Sequence, residues 1–214
     1  MAAEQKHEMR LKILAEQADR ARAALFFAGR ARIRSIYLGS LTMVVLLLLG
    51  YTRYLPMAAM ALPFAAVFLV VLQGYFSHRV NFARTCVAEL EAKINADLGE
   101  TLLITEALES KDLGPLGESH FLGICPSNLR GIFSILSIHY LVIGLGMFIA
   151  GLFRTHYILS QPDLRPVERF GDIYAPVLFI WAVANILYLI WFSWGEAEKG
   201  VIAAIRKQFQ PKGE

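Results

Sequence analysis

Four long stretches of the sequence contain no Asp, Glu, Lys or Arg, and this feature constrains the fold more than any other. Each stretch is about long enough to cross a bilayer core of roughly 30 Å as a helix that rises about 1.5 Å per residue. A soluble protein can bury one such helix, but four in a chain of 214 residues predict an all-α integral membrane protein with four transmembrane helices. The stretches are Ser35–Thr52, Tyr54–His78, Gly131–Phe153 and Ile173–Gly195.

The distribution of Lys and Arg predicts the orientation of these helices. Of the 21 Lys and Arg residues, 17 lie before the first stretch, between the second and third, or after the fourth. Positively charged connections stay preferentially on the cytoplasmic side of a membrane. Both termini are therefore predicted to be cytoplasmic, in a plasma membrane that we take to be a bacterial inner membrane. The other two connections hold only Arg53, Arg154, Arg165 and Arg169.

A basic cluster directly precedes the first stretch. Arg30, Arg32 and Arg34 lie where a membrane-entering helix meets anionic lipid headgroups, so lipid contacts are expected for all three. The formal net charge of the whole chain is only +3, which gives no indication of nucleic-acid binding.

Long cytoplasmic helices are predicted on either side of the first hairpin. Residues 1–34 are rich in helix-forming types and carry apolar residues at heptad-like spacing, and the helix is expected to run on into the first span. The second span is expected to run on similarly until Gly99 ends the helix. The two apolar stripes, typical of a coiled coil, are predicted to pack on each other or on another subunit. They consist of Leu14, Ala18, Ala21 and Leu25, and of Ala83, Val87, Leu90 and Ile94.

These patterns divide the chain into five segments. The segment Glu100–Asn128 begins acidic and becomes rich in Gly and Pro, so it is either a plain connector or a place where a partner or ligand is sensed. The segments are a cytoplasmic amphipathic helix (1–34), a transmembrane hairpin (35–78), a cytoplasmic helix and loop (79–130), a second hairpin (131–195) with an external loop (154–172), and a cytoplasmic amphipathic tail (196–214).

Polar side chains within the spans all fall in the predicted cytoplasmic half. Counted from the inner end of each stretch, His139 lies about 12 Å deep and Asn185 about 15 Å deep. Two interpretations fit: these groups bond across a four-helix bundle, or they line a water-filled vestibule closed by the apolar outer half. The polar layer consists of Ser40, Thr42, Gln73, Ser137, His139 and Asn185.

Small residues make part of the third span smooth. Gly146 and Ala150 are four residues apart, and Gly144 and Gly151 are one heptad apart. Such spacing favours close approach of another helix. The sequence leaves open whether that helix belongs to the same chain or to a neighbouring subunit.

No motif in the sequence indicates a reaction. The GxSxG, HExxH and P-loop patterns are missing, and Cys86 and Cys125 form no CxxC pair. We therefore expect a protein that is not an enzyme and that has no metal or cofactor. Its expected partners are membrane lipids and either further copies of itself or other membrane subunits.

Three functions remain open at this point. The first is self-assembly into a pore, channel or membrane effector gated through the cytoplasmic helices. The second is an accessory or scaffolding subunit of a larger membrane complex. A membrane-embedded enzyme is the third.

Overall fold

The computed structural model describes residues 2–52, 54–101, 124, 126–161, 170–193 and 203. Within these residues the structure is helical and contains no β-strand. A 3-10 turn at Pro126–Asn128 precedes the third long helix. The long helices are α1 (Ala2–Tyr51), α2 (Ala58–Leu98), α3 (Ile132–Ser160) and α4 (Phe170–Ser193).

Each long helix contains a stretch that is apolar and long enough to cross a membrane. This confirms the all-helical fold and the four candidate spans that the charge-free stretches predict. The side of the membrane on which the termini lie, and the membrane itself, stay predictions from the Lys and Arg distribution.

Both helices of the first hairpin continue well beyond their spans, as the sequence predicts. Helix α1 has 50 residues and α2 has 41, and α2 is unbroken at Pro63. Gly99 ends α2 with a φ of 72°, the left-handed conformation that a helix C-terminus commonly requires and that Gly adopts without strain.

Within the predicted external loop 154–172, residues Arg154 to Ser160 continue α3 and α4 begins at Phe170, and residues 162–169 lie outside the described part of the chain. Charged residues mark the end of an apolar stretch, but the helix itself continues past it. The tail 196–214, apart from Ala203, and residues 102–123 of the segment Glu100–Asn128 lie outside the described residues.

The chain divides into two compact units. The stalk unit comprises residues 1–31, 76–134 and 194–214, and the membrane unit comprises residues 32–75 and 135–193. Helices α1 and α2 contribute residues to both units.

Apolar side chains of α1 and α2 form the core of the stalk unit. Leu14 and Ala18 pack with Leu90 and Ile94 in one buried cluster. Further along, Leu25 packs with Val80, Ala83 and Val87 in a second cluster. Residues near the N-terminus of α1 contact residues near the C-terminus of α2, so the two helices are antiparallel. The two predicted apolar stripes therefore pack on each other within one chain.

Ion pairs flank this core. Arg22 lies 2.8 Å from the carboxylate of Glu91, whose side chain is almost fully buried. Arg10 and Lys93 each lie 3.5 Å from the carboxylate of Asp97. The side chain of Glu91 is more deeply buried than that of Asp97, so the pairing of Glu91 with Arg22 is the more consequential one for stability.

Helix α2 is the central helix of the membrane unit. The share of buried residues in the most apolar 18-residue window of each helix is 50% in α2, 22% in α3, 17% in α1 and 6% in α4. The apolar core therefore forms around α2, and most of α4 is left for lipid or another protein to cover. Fully or almost fully buried core residues are Met43, Ala59, Met60, Leu62, Ala66, Tyr140 and Ile158.

Candidate functional site: a buried polar cluster at Arg32

The side chain of Arg32 lies buried among three helices of the membrane unit. Its Nη2 atom donates a hydrogen bond to the Oγ atom of Ser137 on α3 at 2.6 Å. The Gln73 side chain on α2, with its amide oxygen assigned to face the guanidinium, accepts from Nε at 2.8 Å and from Nη2 at 3.2 Å. The three residues are exposed by 3% or less. This arrangement joins α1, α2 and α3 through one guanidinium group.

The positions of these three residues in the sequence explain why they meet. Arg32 lies just before the first charge-free stretch, at its predicted cytoplasmic end. Gln73 and Ser137 each lie within two helical turns of the predicted cytoplasmic end of their own stretch. A guanidinium offers several N–H donors in a fixed plane, so one Arg can satisfy acceptors on two neighbouring helices. Burial makes these bonds costly to break, because each leaves a polar group without its partner.

Arg30 and Arg34 lie on a different face of α1 from Arg32. Both are exposed, and the Arg30 guanidinium lies 4.4 Å from the centre of the Phe26 ring. Residues two apart in a helix point in nearly opposite directions. The predicted headgroup contact therefore does not fit the buried Arg32, while for Arg30 and Arg34 it stays a prediction.

The six residues of the predicted polar layer do not form one layer in the bundle interior. Gln73 and Ser137 are buried beside Arg32, and Ser40 is partly buried. The other three each bond to a backbone carbonyl four residues earlier in their own helix. These bonds are Thr42 Oγ1 to Leu38 O (2.8 Å), His139 Nδ1 to Ile135 O (2.9 Å) and Asn185 Nδ2 to Trp181 O (2.9 Å).

His139 is the clearest difference from the sequence-based expectation. It is exposed on the surface of the membrane unit, and it makes no bond to Asn185 within the described residues. Depth along a span follows from counting residues, whereas the direction of a side chain around the helix depends on which face packs. The count predicts similar depths, and it gives no information on direction.

The small residues of α3 also divide between two faces. A Cβ atom at Gly151 would lie 2.8 Å from both Leu62 Cβ and Pro63 Cδ, so this Gly allows α2 and α3 to touch. Gly144 lies beside Val70 of α2, at ordinary contact distance. Gly146 has open space around it. The partner of the Gly144 and Gly151 face is thus α2 of the same chain, and Gly146 faces elsewhere.

Two glycines of α1 have packing roles that sequence reasoning missed. A Cβ at Gly50 would lie 2.5 Å from Ala59 Cβ and 2.7 Å from the Ala59 backbone nitrogen, and one at Gly39 would lie 2.7 Å from Tyr140 Oη. Arg154 adds a hydrogen bond of 3.1 Å to the Gly50 carbonyl. The eleven-residue spacing of these glycines, three helical turns, was the available signal that both lie on one face.

Helix α4 packs on α2 through the N-terminal half of α4. The Tyr174 hydroxyl donates to the Met60 carbonyl at 2.8 Å, and the Trp181 indole donates to the Phe64 carbonyl at 3.3 Å. The Phe64 ring also packs edge-on against Tyr174. Beyond Trp181 every side chain of α4 that the structure describes is exposed or only partly buried.

An apolar groove of about 380 Å³ runs between α3 and α4. Phe148, Leu152 and Leu178 line it, and Thr155 and His156 are polar exceptions. A groove of this composition, on helices apolar enough to cross a membrane, suits hydrocarbon chains. It offers no convergent set of polar groups for chemistry on a substrate.

The described residues contain no group of three or more His, Cys, Asp or Glu side chains placed to hold a metal ion. The arrangement at Arg32 is suited to holding helices in register, and it presents no nucleophile with an adjacent base. Comparison with known protein families, with curated proteins and with solved structures finds no match for this chain.

Proposed function

We propose that the protein assembles with copies of itself in a membrane to form a pore, channel or other membrane effector, controlled through its stalk helices. The observation that carries this proposal is the exposed position of His139 within a helix that is long and apolar enough to cross a membrane. A polar side chain inside a membrane is costly unless it meets a polar partner or water. Assembly of several copies supplies either one.

Control through the stalk is supported by the continuity of α1 and by the position of Arg32. Helix α1 runs without a break from Ala2 to Tyr51, and Arg32 lies at the start of its membrane part. The bond to Ser137 links this part of α1 to α3. A shift of α1 must therefore either carry α3 with it or break the buried bond, and both change the arrangement of the spans.

Ion flux from liposomes tests the proposal. We expect Ser137→Ala, which removes the acceptor on α3, to give more flux than the wild type. Thr42→Ala is the matched control, because it removes a hydroxyl that bonds only within its own helix. The proposal would be contradicted if neither the wild type nor Ser137→Ala lets ions through the liposome membrane and the protein is strictly monomeric.

The second candidate is an accessory subunit of a larger membrane complex. The same outward His139 favours it, because a different membrane protein can supply the polar partner as well as a second copy can. Mild extraction from native membranes separates the two candidates: a different subunit in fixed ratio supports the accessory role, and the chain alone in several copies supports self-assembly. We propose no catalytic activity for either.

A further inference from the structure

The hydrogen bond of His139 fixes which ring nitrogen carries a proton. Nδ1 lies 2.9 Å from the Ile135 carbonyl, and a carbonyl oxygen only accepts. Nδ1 must therefore carry the hydrogen, and in the neutral ring Nε2 is then an acceptor with no hydrogen of its own. That acceptor belongs to a side chain exposed on the surface of the membrane unit.

Asn185 offers the complementary group on α4. Its amide nitrogen donates one hydrogen to the Trp181 carbonyl at 2.9 Å. A carboxamide nitrogen has two hydrogens, so a second N–H is left to donate. Thr42, the other residue of the predicted polar layer that bonds only within its own helix, has already given its only hydroxyl hydrogen to the Leu38 carbonyl. Among these three side chains of the predicted polar layer, Asn185, which is partly exposed, is thus the one that can donate to His139.

Depth and packing space match as well. His139 and Asn185 lie about 12 Å and about 15 Å from the same predicted side of the membrane. Gly146 is two turns along α3 from His139 and so lies on the same face, where a Cβ atom added to it would have no side chain or neighbouring helix within 4 Å. A small residue at that place lets another helix come close.

We propose that Nε2 of His139 in one copy accepts a hydrogen bond from the Asn185 amide of a second copy, so that α3 of each chain packs on α4 of the next. This inference rests on the proposed self-assembly and names the contact that produces it. A symmetric contact of His139 with itself is disfavoured, because it would bring two acceptors together. A contact between two unlike residues either closes as a two-fold dimer, in which each copy supplies both residues, or repeats around a ring of copies.

Crosslinking between differently tagged chains tests this contact. In a chain with Cys86→Ser and Cys125→Ser, His139→Cys and Asn185→Cys are placed on separate chains and expressed together. A His–Asn hydrogen bond keeps the Cβ atoms further apart than a disulfide permits, so a short reagent that bridges two thiols is used in native membranes. Pairing His139→Cys with Ile186→Cys is the matched control, since Ile186 is exposed beside Asn185 but points about 100° away.

We expect a crosslinked product that carries both tags, at several times the yield of the control pair and of either cysteine variant alone. Both cysteines in one chain should give crosslinked products of two or more chains. Efficient crosslinking of His139→Cys chains to each other would overturn the proposed contact. If native mass spectrometry shows an oligomer but no mixed product forms, the proposed contact is wrong and the proposed self-assembly still stands. If native mass spectrometry shows a monomer, both the contact and the self-assembly are wrong.

Discussion

The Nη2 atom of Arg32 lies 2.6 Å from the Oγ atom of Ser137, which is 105 positions further along the chain. Both side chains are buried, and Gln73 on α2 completes the cluster. A charge-assisted bond of this kind connects the first span to the third at a point where α1 leaves the membrane unit. It gives the cluster consequences for stability that an exposed arginine would not have.

We predict that Ser137→Ala lowers the free energy of unfolding by about 1–3 kcal/mol, because the buried guanidinium loses an acceptor. Thr42→Ala should change it by less than about 0.5 kcal/mol, as surface substitutions generally do. Chemical unfolding in detergent micelles measures both. Equal losses for the two variants would show that the Arg32 bond adds nothing beyond an ordinary hydroxyl.

We predict opposite effects for two Gly→Ala substitutions in helices. Gly151→Ala should destabilise the protein by about 1–3 kcal/mol, because its Cβ would lie 2.8 Å from Leu62 Cβ and Pro63 Cδ. Gly29→Ala has open space and should stabilise α1 by about 0.5–1 kcal/mol. The unfolding free energies of the two variants give the comparison, and a stable Gly151→Ala would contradict the close packing of α2 and α3.

Local patterns in the sequence predict much of this fold. The spans follow from missing charges, the end of α2 follows from Gly99, and the stalk core follows from apolar residues repeated along α1 and α2. Each of these depends on neighbours in the chain. The spacing also predicts that Arg32 faces away from Arg30 and Arg34, since residues two apart in a helix point in nearly opposite directions, but it does not indicate which of these faces is buried.

The remaining features depend on contacts between distant residues. Whether Gly50 meets Ala59, or His139 faces inward, is decided by which helix faces pack together. Residue spacing shows which residues share a face of a helix, but it does not show which face packs against another helix. Nothing in the sequence near His139 distinguishes an inward from an outward direction.

The stalk core gives a third prediction. Leu14 is fully buried, so Leu14→Ala should cost about 2–5 kcal/mol through lost contacts and the cavity left behind. The neighbouring Ile13 is 50% exposed, and Ile13→Ala should cost far less. Thermal unfolding followed by circular dichroism measures both changes. Similar losses for the two positions would contradict the packing of α1 on α2.

His139→Ala separates stability from assembly. Within one chain His139 bonds only to the carbonyl of its own helix, so we expect the unfolding free energy to change by less than about 0.5 kcal/mol. The oligomer should dissociate at a lower detergent concentration than the wild type does. Size-exclusion chromatography with light scattering measures the second effect. A large loss of stability with unchanged assembly would give His139 a role inside the chain.

The copy number of the protein in lipid tests the account most directly. Native mass spectrometry of the chain released from lipid nanodiscs reports mass together with any bound subunit or lipid. Self-assembly through the contact of His139 with Asn185 predicts a complex of two or more chains, each of 23.9 kDa. A single chain under the same conditions would contradict self-assembly and with it the proposed function.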